Sequence, residues 1–452
     1  NPFSAKHLLS ALPDTVKQIQ VLDRSKEPGA QGEALYLDVS AALKDSKFKG
    51  VTVFGGRYGL GSKDTYPADI MAVFENTSKN GFTLGIEDDV TNLSLPRTES
   101  PETSPAGTTS CKFWGMGADG TVGANKNSIK IIGDHTEKYV QAYFDYDSKK
   151  SGGVTISHLR FGDEPIKSSY LIDKADFVAC HMPAYIYKYD MVQDLKKGGS
   201  FLLNCSWDKE ELEKNLPGQV KRYIAEQGIH FYTIDGFALG KEIGLGGRIN
   251  TILQSAFFVI SGIIPKEEAI RYMKDAATKT YSKKGDDIVE MNHKAIEAGA
   301  EKFKEIEIPS SWQSAEDENL TDPVSGDNKK LIDYVNGIQS KINAQRGDEL
   351  PVSAFTDYVD GTAPLGSAAY EKRGVGIDIP RWNPDGCIQG NFCSYVCPHA
   401  CIRPLALEGD TLSQAPEGTT TKMTGMDDMT FAITISPLDC TGCGNCVNVC
   451  PG

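Results

Sequence analysis

A dense group of cysteines near the C-terminus constrains the fold more than any other feature of this sequence. Eight of the eleven cysteines lie between positions 387 and 452. The last four form a complete C-x2-C-x2-C-x3-C-P run, made of Cys440, Cys443, Cys446, Cys450 and Pro451. This is the ligand spacing of a bacterial-type iron–sulfur cluster, because thiolates separated by two residues can bind neighbouring corners of one cubane.

An earlier run has the same spacing and the same final proline but lacks one ligand. Its cysteines are Cys387, Cys393 and Cys397, and Gly390 occupies the position of the second cysteine. Two runs of this kind are typical of a two-cluster electron relay. Clustered C-x2-C in a large chain favours metal binding over a disulfide framework.

Composition limits the remaining function classes. At 452 residues the chain is long enough for two to four domains. A net charge of −14 argues against nucleic-acid binding, and no apolar run reaches the roughly 18 residues that a membrane span needs. The first residues contain no initiator Met and no signal pattern, so we expect an internal piece of a longer chain. The cysteines outside the two runs have apolar neighbours and are interpreted as inert core thiols: Cys111, Cys180 and Cys205.

Hydrophobic patterning predicts α/β architecture before the cysteine runs. Residues 1–97 are predicted to form a small α/β unit, and a Ser/Thr/Pro/Gly-rich stretch, 98–109, a linker. Strands then alternate with helices over 107–304, which predicts a parallel sheet covered on both faces. Residues 305–383 are predicted to be a polar inter-domain connector, and 384–452 a cysteine-rich domain.

Ligands of parallel α/β sheets bind at the carboxyl ends of the strands, which suggests where to look for a site. The candidates there are the glycine-rich turn 117–126, Lys149 and Lys150, and the pair Ser157 and His158. A lone histidine at a strand end is more often a packing residue than a catalyst. A second glycine-rich turn, 55–63, could bind an anion, but a structural strand-to-helix turn explains it equally well.

Several longer segments of the sequence resemble those of the pyruvate:ferredoxin (flavodoxin) oxidoreductase family. They are 56–60 (Gly-Arg-Tyr-Gly-Leu), 87–91 (Glu-Asp-Asp-Val-Thr), 117–128, 151–160, 244–250, 371–373 (Glu-Lys-Arg) and 382–387. The resemblance runs from end to end and includes the fused relative pyruvate:NADP+ oxidoreductase. It indicates that this chain is the central portion of such an enzyme.

The resemblance implies an order of domains and an activity. The domains would be the end of a transketolase-C-like swivelling domain, a 2-oxoacid oxidoreductase gamma-type α/β domain, a connector with the Glu-Lys-Arg segment, and a ferredoxin-like α+β two-cluster domain truncated at its C-terminal end. The family converts pyruvate and coenzyme A to acetyl-CoA and CO2 with thiamine diphosphate and Mg²⁺. Electrons leave to ferredoxin, flavodoxin or a fused flavin domain, and the full enzyme is expected to be a homodimer.

The resemblance also implies a coenzyme A site in the gamma-type domain. The matching positions are Asp119, Gly120, Thr121, Val122, Lys150, Asn250 and Asn292. The residues themselves support the turn and the lysine, since a glycine turn on a helix N-terminus and a nearby cation suit a pyrophosphate. The two asparagines rest on the resemblance alone.

The thiamine- and pyruvate-binding domains of the family are not found in these 452 residues, so we expect the chain alone to be inactive. An alternative is a catalytically incomplete relative that serves as a scaffold or electron-transfer subunit of a larger complex. A further alternative is an electron-transfer protein with no coenzyme A role. The cysteine usage requires a reducing, intracellular compartment, either cytoplasm or a mitochondrion-type organelle.

Gly390 is the second departure from the family. In two-cluster ferredoxins the fourth cysteine of each run binds the other cluster. This crossing predicts a [4Fe–4S] site from Cys397, Cys440, Cys443 and Cys446, and leaves Cys387, Cys393 and Cys450 for the other site. Three ligands predict a [3Fe–4S] cluster; the alternatives are a substitute ligand in Cys401, a non-protein ligand on a fourth iron, or an empty, degenerate site.

Overall fold

The computed structural model describes residues 2–117, 119–147, 152–320 and 322–452, and the chain divides into two compact units. The first unit contains Asn1–Ala106, Lys167–Leu171 and Asp322–Tyr370; the second contains Gly107–Ile166, Ile172–Thr321 and Glu371–Gly452. The break after residue 106 falls within the predicted linker. No helix among the described residues is both long and apolar enough to cross a membrane.

The segment 305–383, predicted as one connector, is divided between the two units. Its middle part packs into the first unit, where the Val352 N–H donates to the Glu87 carbonyl over 2.9 Å and Ser353 bonds to Asp89. Its end belongs to the second unit, where Val375 is buried in the core.

The first unit is built on a small parallel sheet in the order β1-β2-β3. Asp23, at the end of the first strand, accepts the N–H groups of Leu35 and Tyr36 and so caps the helix that begins there. The glycine-rich turn after the second strand packs against Arg24, because a Cβ on Gly59 would lie 2.8 Å from the Arg24 Nε. The elements of this unit are α1 (Ala5–Ala11), β1 (Gln18–Asp23), α2 (Ala34–Lys44), β2 (Thr52–Arg57), α3 (Pro67–Glu75), β3 (Phe82–Thr83), α11 (Lys329–Tyr334) and α12 (Ser340–Asn343).

The second unit contains a seven-stranded sheet with helices on both faces. Its elements are β4 (Thr109–Met116), α4 (Thr121–His135), β5 (Tyr139–Tyr146), β6 (Val154–Gly162), β7 (Ala175–Cys180), β8 (Leu195–Asn204), α5 (Lys209–Asn215), α6 (Gly218–Gln227), β9 (His230–Ile234), α7 (Gly236–Ile243), α8 (Asn250–Ser261), α9 (Lys266–Tyr281), α10 (Asp286–Glu301) and β10 (Lys304–Glu305). The strand order is β10-β9-β8-β7-β4-β6-β5.

The prediction of a purely parallel sheet is wrong at three strands. Strands β4, β7, β8 and β9 are parallel, but β5, β6 and β10 pair antiparallel with their neighbours. Seven residues, 147–153, separate β5 from β6, which is too few for the crossover connection that a parallel pair needs.

The mixed sheet changes the position of the predicted Ser157 and His158 pair. These residues lie in the middle of the antiparallel β6 and are buried, so they are not at the carboxyl edge. The His158 Nδ1 accepts the Ile172 N–H over 3.1 Å, and burial lowers the pKa of His158 to about 2. His158 is therefore a neutral packing residue.

Aromatic side chains fill the face of the sheet that α8 covers. Phe257 of α8 is fully buried and contacts Phe113 and Phe177, with ring centroids 4.9 Å and 5.2 Å away. The predicted core thiols Cys111, Cys180 and Cys205 are buried in the same domain.

The cysteine-rich part of the second unit is a small α+β domain. Its three strands pair antiparallel in the order β11-β13-β12. Its elements are α13 (Phe392–Tyr395), β11 (Ile402–Leu407), α14 (Gly409–Ser413), β12 (Thr421–Lys422), β13 (Thr430–Ile435) and α15 (Asn445–Asn448).

We predict that Phe257→Ala lowers the free energy of unfolding of the α/β domain by about 3–5 kcal/mol, since it removes a fully buried ring and leaves a cavity. Denaturant titration would measure the change. Tyr143→Ala, at a side chain of the same domain that is 58% exposed, should change the free energy by less than about 0.5 kcal/mol. Equal effects of the two substitutions would contradict the assignment of the core.

Candidate functional site

The two cysteine runs adopt the same local backbone. In each run an N–H two residues after the first cysteine donates to that cysteine's Sγ over 3.4 Å, from Gln389 in one run and Gly442 in the other. Each run then has a left-handed residue before a one-turn helix, Asn391 with φ 57° and Gly444 with φ 75°. The helices α13 and α15 pack together, so the runs form a related pair.

Thiols from both runs surround two cavities of similar volume. The complete cavity, about 290 Å³, is lined by the predicted set Cys397, Cys440, Cys443 and Cys446, in which Cys397 comes from the first run. The short cavity, about 270 Å³, is lined by Cys387, Cys393 and Cys450, in which Cys450 comes from the second run. The structure therefore brings each predicted ligand set together, and Cys446 reaches both cavities.

The Phe392 ring lies next to the position of the missing thiol. A Cβ built on Gly390 would lie 3.1 Å from the Cε2 of Phe392, whose ring is 53% exposed. Cys401, the predicted alternative ligand, lines the complete cavity, and its backbone N–H donates to the Cys397 Sγ over 3.2 Å. The chain turns at Pro398 and brings Cys401 back beside its own run.

The chemistry of the short cavity fits an iron–sulfur cluster. Besides three thiols, its wall includes the apolar side chains of Ile402, Ile433 and Ile435. Two buried polar atoms of its lining residues, Trp382 Nε1 and Asn391 Oδ1, have no hydrogen-bond partner within the described part of the chain. Among the described residues, no three His, Cys, Asp or Glu side chains are arranged to hold a single metal ion. Thiols spread around a cavity suit a cluster, which binds each cysteine at a different iron.

The segment around Glu371-Lys-Arg connects the complete cavity to the α/β domain. Lys372 forms a 2.5 Å ion pair with Asp439, next to Cys440, and the Gly374 N–H donates to the Leu438 carbonyl over 2.8 Å. A Cβ on Gly152 would lie 3.0 Å from Arg373 Nη1 and 3.2 Å from the Thr441 side chain. The loop that leads into β6 therefore meets both the Glu-Lys-Arg segment and the cysteine run.

The predicted coenzyme turn lies between β4 and α4. Gly120 has φ 92° and precedes the first helical residue, and a Cβ there would lie 3.1 Å from the Asn250 Cγ. The structure thus brings Asn250, at the start of α8, onto this turn. The Asp119 carboxylate accepts the N–H groups of Met116 and Thr121 over 2.8 Å and 2.7 Å, so it supports the turn. Val122 is half-buried in the first turn of α4.

The remaining predicted coenzyme residues are Asn292 and Lys150. Asn292 is buried on α10, and its side-chain nitrogen donates to the Ile288 carbonyl over 2.8 Å within the same helix. Lys150 lies outside the described residues.

Two residues beside the turn were missed by sequence reasoning. The His181 Nδ1 and Thr121 Oγ1 are 2.7 Å apart, and burial lowers the pKa of His181 to about 4 while the Asp119 carboxylate opposes this shift. Burial raises the pKa of Tyr185, whose hydroxyl has no partner within the described residues. The position of His181 directly after the parallel strand β7 was the signal that could have identified it.

Comparison with known proteins identifies the group to which these sites belong. A family model described as pyruvate ferredoxin/flavodoxin oxidoreductase matches residues 110–302. The chain belongs to this family. Two more models follow it along the chain, the EKR domain of unknown function over 321–376 and a 4Fe-4S dicluster domain over 386–452.

Curated relatives match the whole chain. Pyruvate:ferredoxin oxidoreductase of Moorella thermoacetica is 53% identical and pyruvate-flavodoxin oxidoreductase of Klebsiella pneumoniae 51% identical; each match covers 100% of this chain and 38% of the relative. The mitochondrial pyruvate dehydrogenase (NADP(+)) of Euglena gracilis is 44% identical over 100% of this chain and 25% of its own. The chain therefore spans about 38% of the length of the first two relatives.

A solved pyruvate oxidoreductase subunit from Thermotoga maritima aligns with 44% of this chain and 99% of its own at 19% identity, with a TM-score of 0.37. The dicluster match describes a domain with 4Fe-4S clusters and gives no support to a [3Fe–4S] cluster.

We predict that the double substitution of Cys440 and Cys443 by Ala lowers the iron and acid-labile sulfide content of the protein by about half, because one of two clusters keeps only two thiolate ligands. Cys401→Ala is the matched control, since Cys401 is 3% exposed beside the same cavity and should leave the iron content unchanged. An equal loss of iron in both variants would show that Cys401 is a ligand.

Proposed function

We propose that the chain is part of a pyruvate:ferredoxin-type 2-oxoacid oxidoreductase, in which it holds coenzyme A and relays electrons through two iron–sulfur clusters. The whole enzyme would oxidise pyruvate with coenzyme A to acetyl-CoA and CO2, with thiamine diphosphate and Mg²⁺ bound outside these 452 residues, so the residues alone should be inactive. The observation that carries the proposal is the grouping of thiols from both runs around two adjacent cavities.

The first unit would be the transketolase-C-like swivelling domain, the seven-stranded domain the gamma-type domain, and residues 384–452 the ferredoxin-like domain. The acceptor would be ferredoxin, flavodoxin or a fused flavin domain, and the full enzyme a homodimer. Cluster ligands must stay reduced, which supports an intracellular, reducing compartment of the cytoplasmic or mitochondrial type.

The turn between β4 and α4 supports a coenzyme A site. The first N–H groups of a helix lack intrahelical acceptors, and the helix dipole adds positive potential, so a pyrophosphate is favoured there. Gly120 would leave room for the ligand, Val122 would supply a backbone N–H group, and Lys150 would add a cation. The Thr121 N–H already donates to Asp119, so Thr121 would support the turn. Asp119 would stabilise the turn and would not contact the ligand, since its carboxylate already accepts two backbone N–H groups. Asn250 would contact the ligand directly, and Asn292 would stabilise α10, the helix on which it lies.

The complete cavity would hold a [4Fe–4S] cluster on Cys397, Cys440, Cys443 and Cys446. Bound clusters supply one-electron transfer; the protein supplies thiolates, N–H donors and exclusion of water. Backbone N–H groups of Gly442 and Cys401 already donate to two of these sulfurs, and such bonds stabilise the more negative, reduced state.

The short cavity would hold a cluster on Cys387, Cys393 and Cys450. Its volume is close to that of the complete cavity, which supports occupancy over an empty, degenerate site. Gly390, beside the Phe392 ring, supplies no thiolate, so three cysteines would hold the cluster and we propose that its oxidised form is [3Fe–4S]. A fourth iron with a non-protein ligand is the form that the family's 4Fe-4S description favours.

We predict that Asn250→Ala in the full-length enzyme weakens coenzyme A binding about tenfold, as expected for loss of a hydrogen bond to a charged ligand. Isothermal titration calorimetry would measure the dissociation constant. Asn127→Ala, which removes an amide that bonds to Gln254 and lies on α4 beyond the turn, is the control. An unchanged dissociation constant for Asn250→Ala would remove Asn250 from the site.

We predict that Gly390→Cys combined with Phe392→Gln converts the short site to [4Fe–4S], because the new thiolate binds the open corner once the ring is gone. Low-temperature EPR of oxidised protein should show a [3Fe–4S] signal in the unsubstituted enzyme and in Phe392→Gln alone. The signal should disappear in the double variant. Absence of the signal from the oxidised unsubstituted enzyme would contradict the [3Fe–4S] proposal.

A further inference from the structure

The guanidinium of Arg373, in the Glu-Lys-Arg segment, has no hydrogen-bond acceptor among the described residues. Arg373 is half-buried, and its side-chain nitrogens are not among the buried polar atoms without a partner, so they keep solvent-accessible surface. The other buried or half-buried arginines of the described chain all have acceptors: Arg57 donates to Glu33, Arg160 to Gln141 and Arg222 to Asp317. An accessible guanidinium without an acceptor suits an anion from outside the chain.

Contacts on two sides hold the backbone that carries this guanidinium. The Arg373 N–H donates to the Leu438 carbonyl over 3.2 Å, and the Lys188 ammonium donates to the Lys372 carbonyl over 3.3 Å. The Lys372 side chain pairs with Asp439. The backbone at Arg373 is therefore fixed both by the second cysteine run and by the loop that follows β7.

The Arg373 side chain lies beside the coenzyme turn. A Cβ built on Gly152 would lie 3.0 Å from the Arg373 Nη1 and 3.6 Å from its Cδ. The next residue, Gly153, accepts the N–H of Gly117, the first residue of the turn, over 2.7 Å. Arg373 is thus packed against the strand-entry loop that is hydrogen-bonded to the turn.

Electrostatics agree with this placement. Burial raises the pKa of Tyr185, the Asp119 carboxylate adds to the rise, and the positive charge of Arg373 opposes it. One phenol therefore lies within electrostatic range of both the turn and the guanidinium. Because burial keeps the neighbouring His181 neutral, Arg373 adds positive potential that this histidine does not supply.

We propose that Arg373 binds a phosphate group of coenzyme A at the turn between β4 and α4. The inference rests on the coenzyme A site proposed above and adds a ligand from the Glu-Lys-Arg segment. A guanidinium forms two parallel N–H to oxygen bonds with a phosphate, and the N-terminus of α4 favours the same charge. Coenzyme A offers this chemistry in two places, its pyrophosphate and its 3′-phosphate.

Isothermal titration calorimetry of the full-length holoenzyme tests the contact. Arg373→Gln should weaken coenzyme A binding about tenfold or more, as expected for loss of hydrogen bonds to a charged group. Pantetheine lacks both phosphate groups and should bind the two proteins equally. With dephospho-coenzyme A, a persisting loss would assign the pyrophosphate to Arg373, and a vanished loss would assign the 3′-phosphate. Equal weakening of pantetheine and coenzyme A would overturn the contact.

Two further variants separate phosphate binding from a structural role. Arg373→Lys keeps the charge but loses the planar fork, so it should recover part of the affinity. Arg381 is exposed and lies further along the same stretch of chain, and Arg381→Gln should leave the dissociation constant unchanged. The iron content should be equal in all these proteins, because the Lys372 ion pair with Asp439 is retained.

Arginine modification of the unsubstituted holoenzyme needs no variant. Phenylglyoxal reacts with accessible guanidinium groups, so Arg373 should be modified in the free enzyme. Saturating coenzyme A should protect it, and pantetheine should not. Peptide mass spectrometry would measure Arg373 beside Arg381, whose modification should be the same in every sample. Equal modification of Arg373 with and without coenzyme A would overturn the contact.

The outcomes separate this inference from the function on which it rests. No binding of coenzyme A to the unsubstituted holoenzyme would overturn the coenzyme A site itself. Binding with the same dissociation constant in the unsubstituted enzyme and in Arg373→Gln would overturn the role of Arg373 and leave the site intact.

Discussion

The crossing of the two cysteine runs is the constraint on which the C-terminal domain depends. Cys397 of the first run closes the complete cavity, and Cys450 of the second run closes the short cavity. Neither cavity can form from one run alone, so both runs and the antiparallel sheet beside them must fold together. The matching N–H to Sγ contacts at Cys387 and Cys440 show how closely the two runs copy each other. The glycine at position 390 therefore removes one cluster ligand but leaves the backbone arrangement of the two runs unchanged.

The Glu-Lys-Arg segment connects the second cysteine run to the α/β domain. It is anchored to the second cysteine run by Lys372, at Asp439, and Val375 enters the core of the domain. Lys241 of α7 adds an ion pair to Asp378 over 2.6 Å. Because Gly152 touches both Arg373 and Thr441, a side chain at that position would disturb the contact. The proposed coenzyme turn and the complete cavity are thus held in one packed unit.

The coenzyme turn shows why residues matched by resemblance can have different roles. Asp119 faces into the turn and supports it, whereas Asn250 arrives from a distant part of the sequence at the same place. His181 and Tyr185 are drawn beneath the turn because β7 lies next to β4 in the sheet. Burial keeps His181 neutral, so this histidine adds no positive charge beside the turn. Any attraction for a phosphate would come from the helix N-terminus and from nearby cations.

The sequence by itself determined the chemistry of the cysteine runs, since ligand spacing follows from local chain geometry, and it determined the missing ligand at Gly390. It also predicted most strands and helices, because burial periodicity is local. Only the tertiary structure decided the direction of β5 and β6, the division of the 305–383 segment between two units, and the distance of Cys401 from the short cavity. It also decided that Trp382 lies in the wall of that cavity. These depend on pairing and packing between residues far apart in the chain, which no local pattern encodes.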